Sequence, residues 1–457
     1  LSGNNTALSG ESTTLGVREK IGYGLGDTAS NIIFQVVINF MMIFYTDVFG
    51  LEAAAVGTLM LVVRLFDGVT DPLMGGLADR TRTRWGRYRP YLIWISIPYG
   101  VLAVLAFTTP DLGDNAKLVY AYVTYAVLMT IYTAINIPYS ALGGVLTEDP
   151  TERASVQSFR FAMAMVGGAI VTALTLPMVD LLGAGDKALG FQLTMGVLAS
   201  IAVLCFWICF YTTRERVVEE SQAVKSNIAQ DFFALLKNDQ WNLVALVAVL
   251  LLILVAMRGA ATPYYVIYFL QREDLVSWFF TFGMLTGVAG ACCTNFLTRY
   301  VCKVRLFNFA ILGAIVFHGA LFFLPPGQVI GAFLLFGLAN FFQLILVPLM
   351  FSMIPDTVDY GALKTGKKNM AMSYSAHLLA IKLGLAIGGA LTGWLLDFYG
   401  YVPNQLQSES AMSGILVVFS LSGVVCGVAI AVVMRLYKLT NRYLDEVHRE
   451  LGRDVGR

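Results

Sequence analysis

The chain has 457 residues, 57% hydrophobic and 13% charged, with 31 Lys and Arg against 30 Asp and Glu. A soluble protein carries about 25% charged residues, so a large soluble helical protein is excluded. The net charge of +1 speaks for no particular partner, and no nucleic acid is expected.

The segment Leu1–Gly16 is polar and rich in Ser, Thr and Gly. It reads as part of a flexible cytoplasmic tail over 1–17, without the basic and apolar regions of a cleaved signal peptide. Twelve apolar stretches then follow, each near the ~20 residues that cross a bilayer. They are 21–46, 52–77, 90–109, 117–145, 156–181, 189–212, 241–270, 276–298, 304–325, 328–354, 370–396 and 411–437. Turn signals separate them, such as Gly183-Ala184-Gly185-Asp186 and Pro325-Pro326-Gly327. The longest connection, 214–240, is expected as a cytoplasmic central loop between two six-helix bundles, 18–213 and 241–437. A cytoplasmic tail, 438–457, ends the chain. The fold class is an all-α membrane protein with the outline of a major facilitator fold.

With both termini in the cytoplasm, twenty-four of the 31 basic residues fall on that side and three (Lys117, Lys187, Arg272) fall outside. That asymmetry is the positive-inside pattern. Five of six cysteines lie inside spans, and Cys302 sits at the cytoplasmic face, so no structural disulfide is expected. No Gly-Lys-Ser/Thr phosphate loop, metal-ligand cluster or buried nucleophile is seen. Neither a cofactor nor an enzymatic activity is expected, and the chain is expected to act as a monomer in the bacterial inner membrane.

Seven ionisable residues stand inside the spans: Asp27, Arg64, Asp67, Asp71, Arg160, Arg258 and Lys382. Each costs at least about 2.5–3.5 kcal/mol at the bilayer centre, so each needs a partner, water or a function. Asp67 and Asp71 are four residues apart on one helix face, with Arg64 a turn earlier. Two close carboxylates repel unless a cation lies between them or one is protonated. A sodium ion or a proton is therefore the expected coupling ion, and sodium the only metal expected. Lys382 lies mid-span, too deep to snorkel, and calls for an interior partner. Tyr139 and several other tyrosines line the same spans, and His377 is a candidate for the pathway.

At these residues the chain resembles the glycoside–pentoside–hexuronide:cation symporter family, typified by the melibiose carrier. The likeness runs over about 18–450. It starts with Lys20-Ile21-Gly22-Tyr23-Gly24-Leu25-Gly26-Asp27, Phe44-Tyr45-Thr46-Asp47 and Arg64-Leu65-Phe66-Asp67. It continues through the basic loop Asp79–Pro90, Tyr132–Tyr139 and Asp356-Thr357-Val358-Asp359. The resemblance implies a cation site at Asp67, Asp71 and Thr133, with Thr70 where the melibiose carrier has Asn. It implies a sugar site that includes Asn31 and Asn136 and a central cavity that includes Arg160 and Lys382, to which Asp27, Tyr139, Arg258 and His377 are added from their places in the spans. Asn31 and Asn136 stand where that carrier has sugar-binding Asp, which argues against galactosides. The loss of two acids suits an anionic sugar such as a hexuronide or a sulfonated sugar, and a neutral pentoside or glucoside also fits. Arg64, Asp79, Arg80, Arg84, Arg87, Asp356 and Asp359 are assigned to gating and structure. The expected activity is symport of a sugar or glycoside by alternating access. The alternative is transport of a lysolipid or other amphiphile on the same fold.

Overall fold

We analysed a computed structural model, which describes residues 15–147, 150–216, 235–298, 300–365 and 370–450. Most of the tail 1–17 and of the central loop 214–240 lies outside the described residues. A backbone in lipid must bond its own amides and carbonyls, and the apolar stretches accordingly form helices. Among the described residues twelve are long and apolar enough to cross a membrane. Spans 1–6 are Val17–Val48, Ala53–Ala78, Arg89–Ala106, Asp114–Val145, Ser155–Gly183 and Lys187–Thr212. Spans 7–12 are Asp239–Phe269, Glu273–Thr294, Lys303–Phe322, Val329–Lys364, Met372–Phe398 and Glu409–Arg435. The turns read from sequence sit where glycine is needed: Gly185 and Gly327 have φ of 103° and 84°.

Three boundaries differ from the sequence reading. Span 3 breaks at Ile95, because Pro98 lacks the amide that would bond the Trp94 carbonyl. Span 10 continues about ten residues beyond 354, through Pro355, which carries Asp356 and Asp359 onto the helix. The tail 438–457 contains a helix, Asn441–Glu450, whose Leu444 and Val447 are buried. It packs on the helix of span 10.

Span 1 packs on spans 5 and 6, and span 7 on spans 11 and 12. The two halves meet along three seams: span 2 with span 11, span 5 with span 8, and span 1 with span 7. The span 2–span 11 seam is tight at the end away from the termini. A Cβ at Gly393 would lie 2.3 Å from the Ala53 carbonyl oxygen and 2.8 Å from Gly57 Cα. Further along span 2 a Cβ at Gly68 would meet Leu379 at 3.5 Å, and one at Gly76 would meet nothing within 4 Å. Gly68 lies about three turns from Gly57 on the same face and meets only the tip of a side chain, so the two backbones move apart towards the end that carries the termini.

The same asymmetry appears in the polar contacts. At the far end Asp47 of span 1 accepts bonds from Tyr268 of span 7 and, at 2.6 Å, from Tyr401. Its backbone carbonyl accepts from Asn404 at 2.6 Å. Thr46 bonds Tyr264 at 2.8 Å, and Lys187 pairs with Glu273. All of these join one half to the other. At the terminal end, Lys20–Glu152, Arg216–Glu19, Lys303–Asp356 and Lys364–Asp239 each join parts of one half. Beside Glu19, the Arg216 guanidinium is held above its ordinary pKa by the carboxylate it bonds.

The crossing at Gly393 gives a direct test. Gly393→Ala is expected to lower the melting temperature in detergent, at an overpacking cost of about 1–3 kcal/mol. Gly76→Ala is expected to melt at or slightly above the parent, since its new methyl meets open space and glycine is the poorer helix former. Equal melting of the two variants would contradict the close crossing.

Candidate functional site

Span 2 presents Asp67 and Asp71 on one face, at mid-membrane. Thr133 of span 4 lies between them, with its hydroxyl 2.7 Å from Asp67 Oδ1 and 3.0 Å from Asp71 Oδ1. From span 11, in the other half, Lys382 reaches both acids: Nζ is 3.4 Å from Asp67 Oδ2 and bonds Asp71 Oδ2. Arg64 approaches Asp67 at 4.0 Å and lies over the Phe34 ring. The Asp67 side chain is fully buried. Two acids and two bases are thus balanced in one cluster. Its three oxygens, Asp67 Oδ1, Asp71 Oδ1 and Thr133 Oγ1, are hard donors suited to sodium, and its carboxylates can equally take a proton.

Two residues assigned by resemblance already have protein partners. Thr70 donates its hydroxyl to the Asp67 backbone carbonyl at 3.0 Å, so its proton is spent on its own helix. Lys382, assigned to the sugar, is engaged by the two acids, because burial of that carboxylate pair demands a cation within reach.

A second cluster lies nearer the terminal end of the first half. Arg160 Nε is 3.3 Å from Asp27 Oδ2, and its NH2 is 3.4 Å from Ser140 Oγ. The guanidinium rests on the Tyr139 ring at 5.1 Å, and Tyr139 stacks on Tyr23 at 4.8 Å. Tyr139 is fully buried and gives its hydroxyl proton to the Tyr23 carbonyl at 2.7 Å. It therefore positions Arg160, and its ring is covered by Tyr23 and the guanidinium. Asn31 bonds the Asp27 carbonyl at 2.9 Å, and Asn136 bonds the Tyr132 hydroxyl at 3.3 Å. The Asn136 carbonyl oxygen is buried and unpartnered, an acceptor left for a ligand hydroxyl.

Arg258 lies in span 7 of the second half. It bonds Asn340 Oδ1 at 2.6 Å and His318 Nε2 at 3.3 Å. His377 is buried edge-on to Phe351 at 5.3 Å with neither ring nitrogen bonded, which places it in the packing of span 11. The basic loop is held from within its own half. Glu215 accepts from the backbone amides of Arg87, Tyr88 and Arg89 at 2.7–3.0 Å. Arg84 lies over Trp85 at 4.7 Å, and Arg80 is exposed at the end of its helix. Asp79 ends the same helix, with its side chain outside the described residues. Asp356 pairs with Lys303 at 2.7 Å, and Asp359 is buried.

Comparison with known proteins bears on the family and the fold. A family model described as MFS/sugar transport protein matches residues 22–441. The inner membrane symporter YicJ of Escherichia coli K12 is 40% identical over 444 residues, covering 97% of this chain and 96% of that protein. The chain belongs to the glycoside–pentoside–hexuronide:cation symporters of the major facilitator superfamily. The putative glycoside/cation symporter YagG of the same organism is 38% identical, covering 96% of this chain and 95% of that one. The solved nucleoside transporter NupG shares the fold at a TM-score of 0.66 and 14% identity, with 92% of this chain and 100% of that chain covered. The chain is accordingly a multi-pass inner-membrane protein, and cation-coupled sugar symport is its activity.

Several residues of this symporter escaped the sequence reading. Asp47 is one; an acid at the end of span 1 together with Tyr264, Tyr265 and Tyr268 in span 7 was the available signal. Asn340, Gln35 and Asn39 are others, each a polar residue inside an apolar run. Glu215 gave no signal, since its role depends on a loop more than a hundred residues away.

Lys382→Met is expected to leave Asp67 and Asp71 without their cation, a loss of about 3–5 kcal/mol for a buried pair. Melting of the purified variant in detergent should fall, and sodium should restore it more than it raises the parent, with choline as the control. A variant that melts like the parent without sodium would show that Lys382 does not neutralise the pair.

Proposed function

We propose that Asp67, Asp71 and Thr133 bind the coupling cation, and that Lys382 holds their place while the carrier is empty. The observation behind this is the Lys382 ammonium lying against both carboxylates from the opposite half. A sodium ion or proton arriving at the pair displaces Lys382 and loosens a polar tie between spans 2 and 11. A freed ammonium in the membrane interior is costly, so the loaded carrier does not close until the sugar supplies acceptors around it. That makes cation and sugar mutually dependent, and by linkage each raises the affinity for the other by the same factor. The empty carrier, with Lys382 back on the acids, is neutral at the site and free to return.

Both termini lie in the cytoplasm in this reading, as the basic residues indicate. The seal at Asp47 then faces outward, and the diverging ends of spans 2 and 11 open inward. Two six-helix bundles rock about the midplane to exchange these states.

Asp67→Asn and Asp71→Asn are each expected to lose accumulation of sugar against its gradient. Proteoliposomes are first screened with pentoses, hexoses and glycosides under an imposed sodium or proton gradient. The sugar that accumulates is then tested with each variant. Concentrative uptake at parental rates in both would remove these acids from the cation site.

The orientation is checked with single cysteines in a background free of the six native ones. Leu406→Cys, on the exposed loop after span 11, should react with a membrane-impermeant maleimide in intact cells. Tyr300→Cys, exposed between spans 8 and 9, should react only after lysis. The reverse pattern would invert the topology.

A further inference from the structure

Of the four basic residues inside the membrane, three have a carboxylate. Arg64 has Asp67, Arg160 has Asp27, and Lys382 has Asp67 and Asp71. Arg258 has none within ion-pair distance among the described residues, although it is only 6% exposed and lies near mid-span. Its bonded partners are neutral. Asn340 offers an amide oxygen. His318 sits with Nδ1 2.7 Å from the Ala314 carbonyl, so Nδ1 carries the proton and donates it. That leaves a lone pair on Nε2, which accepts from the guanidinium at 3.3 Å. His318 is therefore an uncharged acceptor, and the Phe336 ring at 5.3 Å adds only its π face. A guanidinium in such surroundings is retained at a cost. Its two engaged nitrogens leave further N–H donors unassigned.

Arg258 also lines a cavity of about 260 Å³ between the halves. The first half contributes Gln35, Asn39 and Thr172, and the second contributes Asn340 and the rings of Phe280 and Phe336. Gln35 and Asn39 are joined at 3.2 Å, which leaves the remaining amide groups of the pair to a ligand. The volume falls just under the ~300–1,000 Å³ of small-molecule sites, the scale of a single sugar ring. Amides on one side, aromatic faces on another and one uncompensated cation describe a polyol with one negative group.

We propose that this cavity holds the acidic end of the transported sugar: a carboxylate or sulfonate on the substrate pairs with Arg258, while its hydroxyls meet Gln35, Asn39 and Asn340. This rests on the reading of the chain as a sugar symporter and assigns its substrate class. It also relocates the charge that favours an anion. Arg160 and Lys382, counted towards it from the sequence, are taken by Asp27 and by the span 2 acids. The planar fork of Arg258 is suited to two-point pairing with a carboxylate or sulfonate. Its neighbours across the cavity belong to the other half, so an anionic sugar bridges the two bundles.

The test uses the purified full chain in detergent, at fixed pH and sodium. Thermal stabilisation is titrated with glucuronate, galacturonate and 6-sulfo-glucose, each against its neutral sugar, and with chloride and phosphate alone. At least one acidic sugar is expected to bind about tenfold to a hundredfold more tightly than its neutral counterpart, the range of a charge-assisted pair. Arg258→Gln should bring the two members together, and Arg258→Lys should keep part of the preference. If Arg258→Gln fails to fold, Arg258→Lys and Asn340→Ala, which loosens the guanidinium, should each narrow the gap. No charge preference in the parent, or one that survives every variant, overturns the proposal. Arg258-dependent stabilisation by chloride or phosphate without any by the acidic sugars also overturns it, since the site would then hold an inorganic anion. Uptake separates the two readings. A neutral sugar accumulated under a cation gradient sinks the anion subsite and leaves symport standing. An acidic sugar bound through Arg258 but indifferent to both gradients does the reverse.

Discussion

Two carboxylates and two cations share the middle of this bilayer-spanning protein, and none of the four could stay there without the others. Asp67 and Asp71 repel at the distance a helical turn allows, and Thr133 draws both onto one hydroxyl. Arg64 is fixed on the same helix, whereas Lys382 comes from the opposite half. The electrostatic requirement of one helix is therefore met across the seam between the bundles. Whatever neutralises the acids decides how firmly spans 2 and 11 are joined, and any ion that replaces Lys382 acts on the relation between the halves.

Packing gives that change a direction. Near Gly57 and Gly393 the two helices touch backbone to backbone, and nearer the termini a methyl on Gly68 would meet only the tip of Leu379 at 3.5 Å. The helices form a V with the charged cluster partway along its arms. A small rotation about the tight end is amplified at the open end, while the glycine contact serves as the fulcrum. Close contact of small residues is a general means of helix association in lipid, where no hydrophobic force draws helices together.

The spans were legible because lipid imposes one rule on every backbone, and twelve apolar stretches answer it. Their ends were less legible. Pro98 splits span 3, while Pro355 is absorbed into a continuing helix, and local composition does not separate the two cases. Asp67 and Asp71 could be found because burying acids is expensive and their spacing is helical, whereas Thr133 was singled out only through the family resemblance. The partner of Lys382 could not be chosen from sequence, since the acids it meets are more than three hundred residues away. For the same reason Arg160 and Arg258 looked alike. One has Asp27 beside it and the other has only an amide and a neutral imidazole, a difference that exists only in three dimensions. Tyr139 is enclosed by short-range packing between the Tyr23 ring and the Arg160 guanidinium, and Thr70 gives its hydroxyl proton to the carbonyl one turn earlier.

The seal at the far end is built mainly from hydroxyls closing on the carboxylate of Asp47, with Thr46, Tyr268 and Tyr401 all donating to it. Among the described residues, the exposed Lys187–Glu273 contact is the one ion pair that joins the two halves there. Mobile ions in the surrounding medium screen exposed charges over about 8 Å at physiological strength, and they act far less on dipoles bonded to a buried acid. Closure at this end is therefore largely indifferent to how dilute or saline the medium is. A carrier driven by an ion gradient has reason to separate the two responses. On the mechanism proposed above, the coupling ion outside registers at the midplane acids, as occupancy, and the salt of the medium does not register at the door, as a weakened latch.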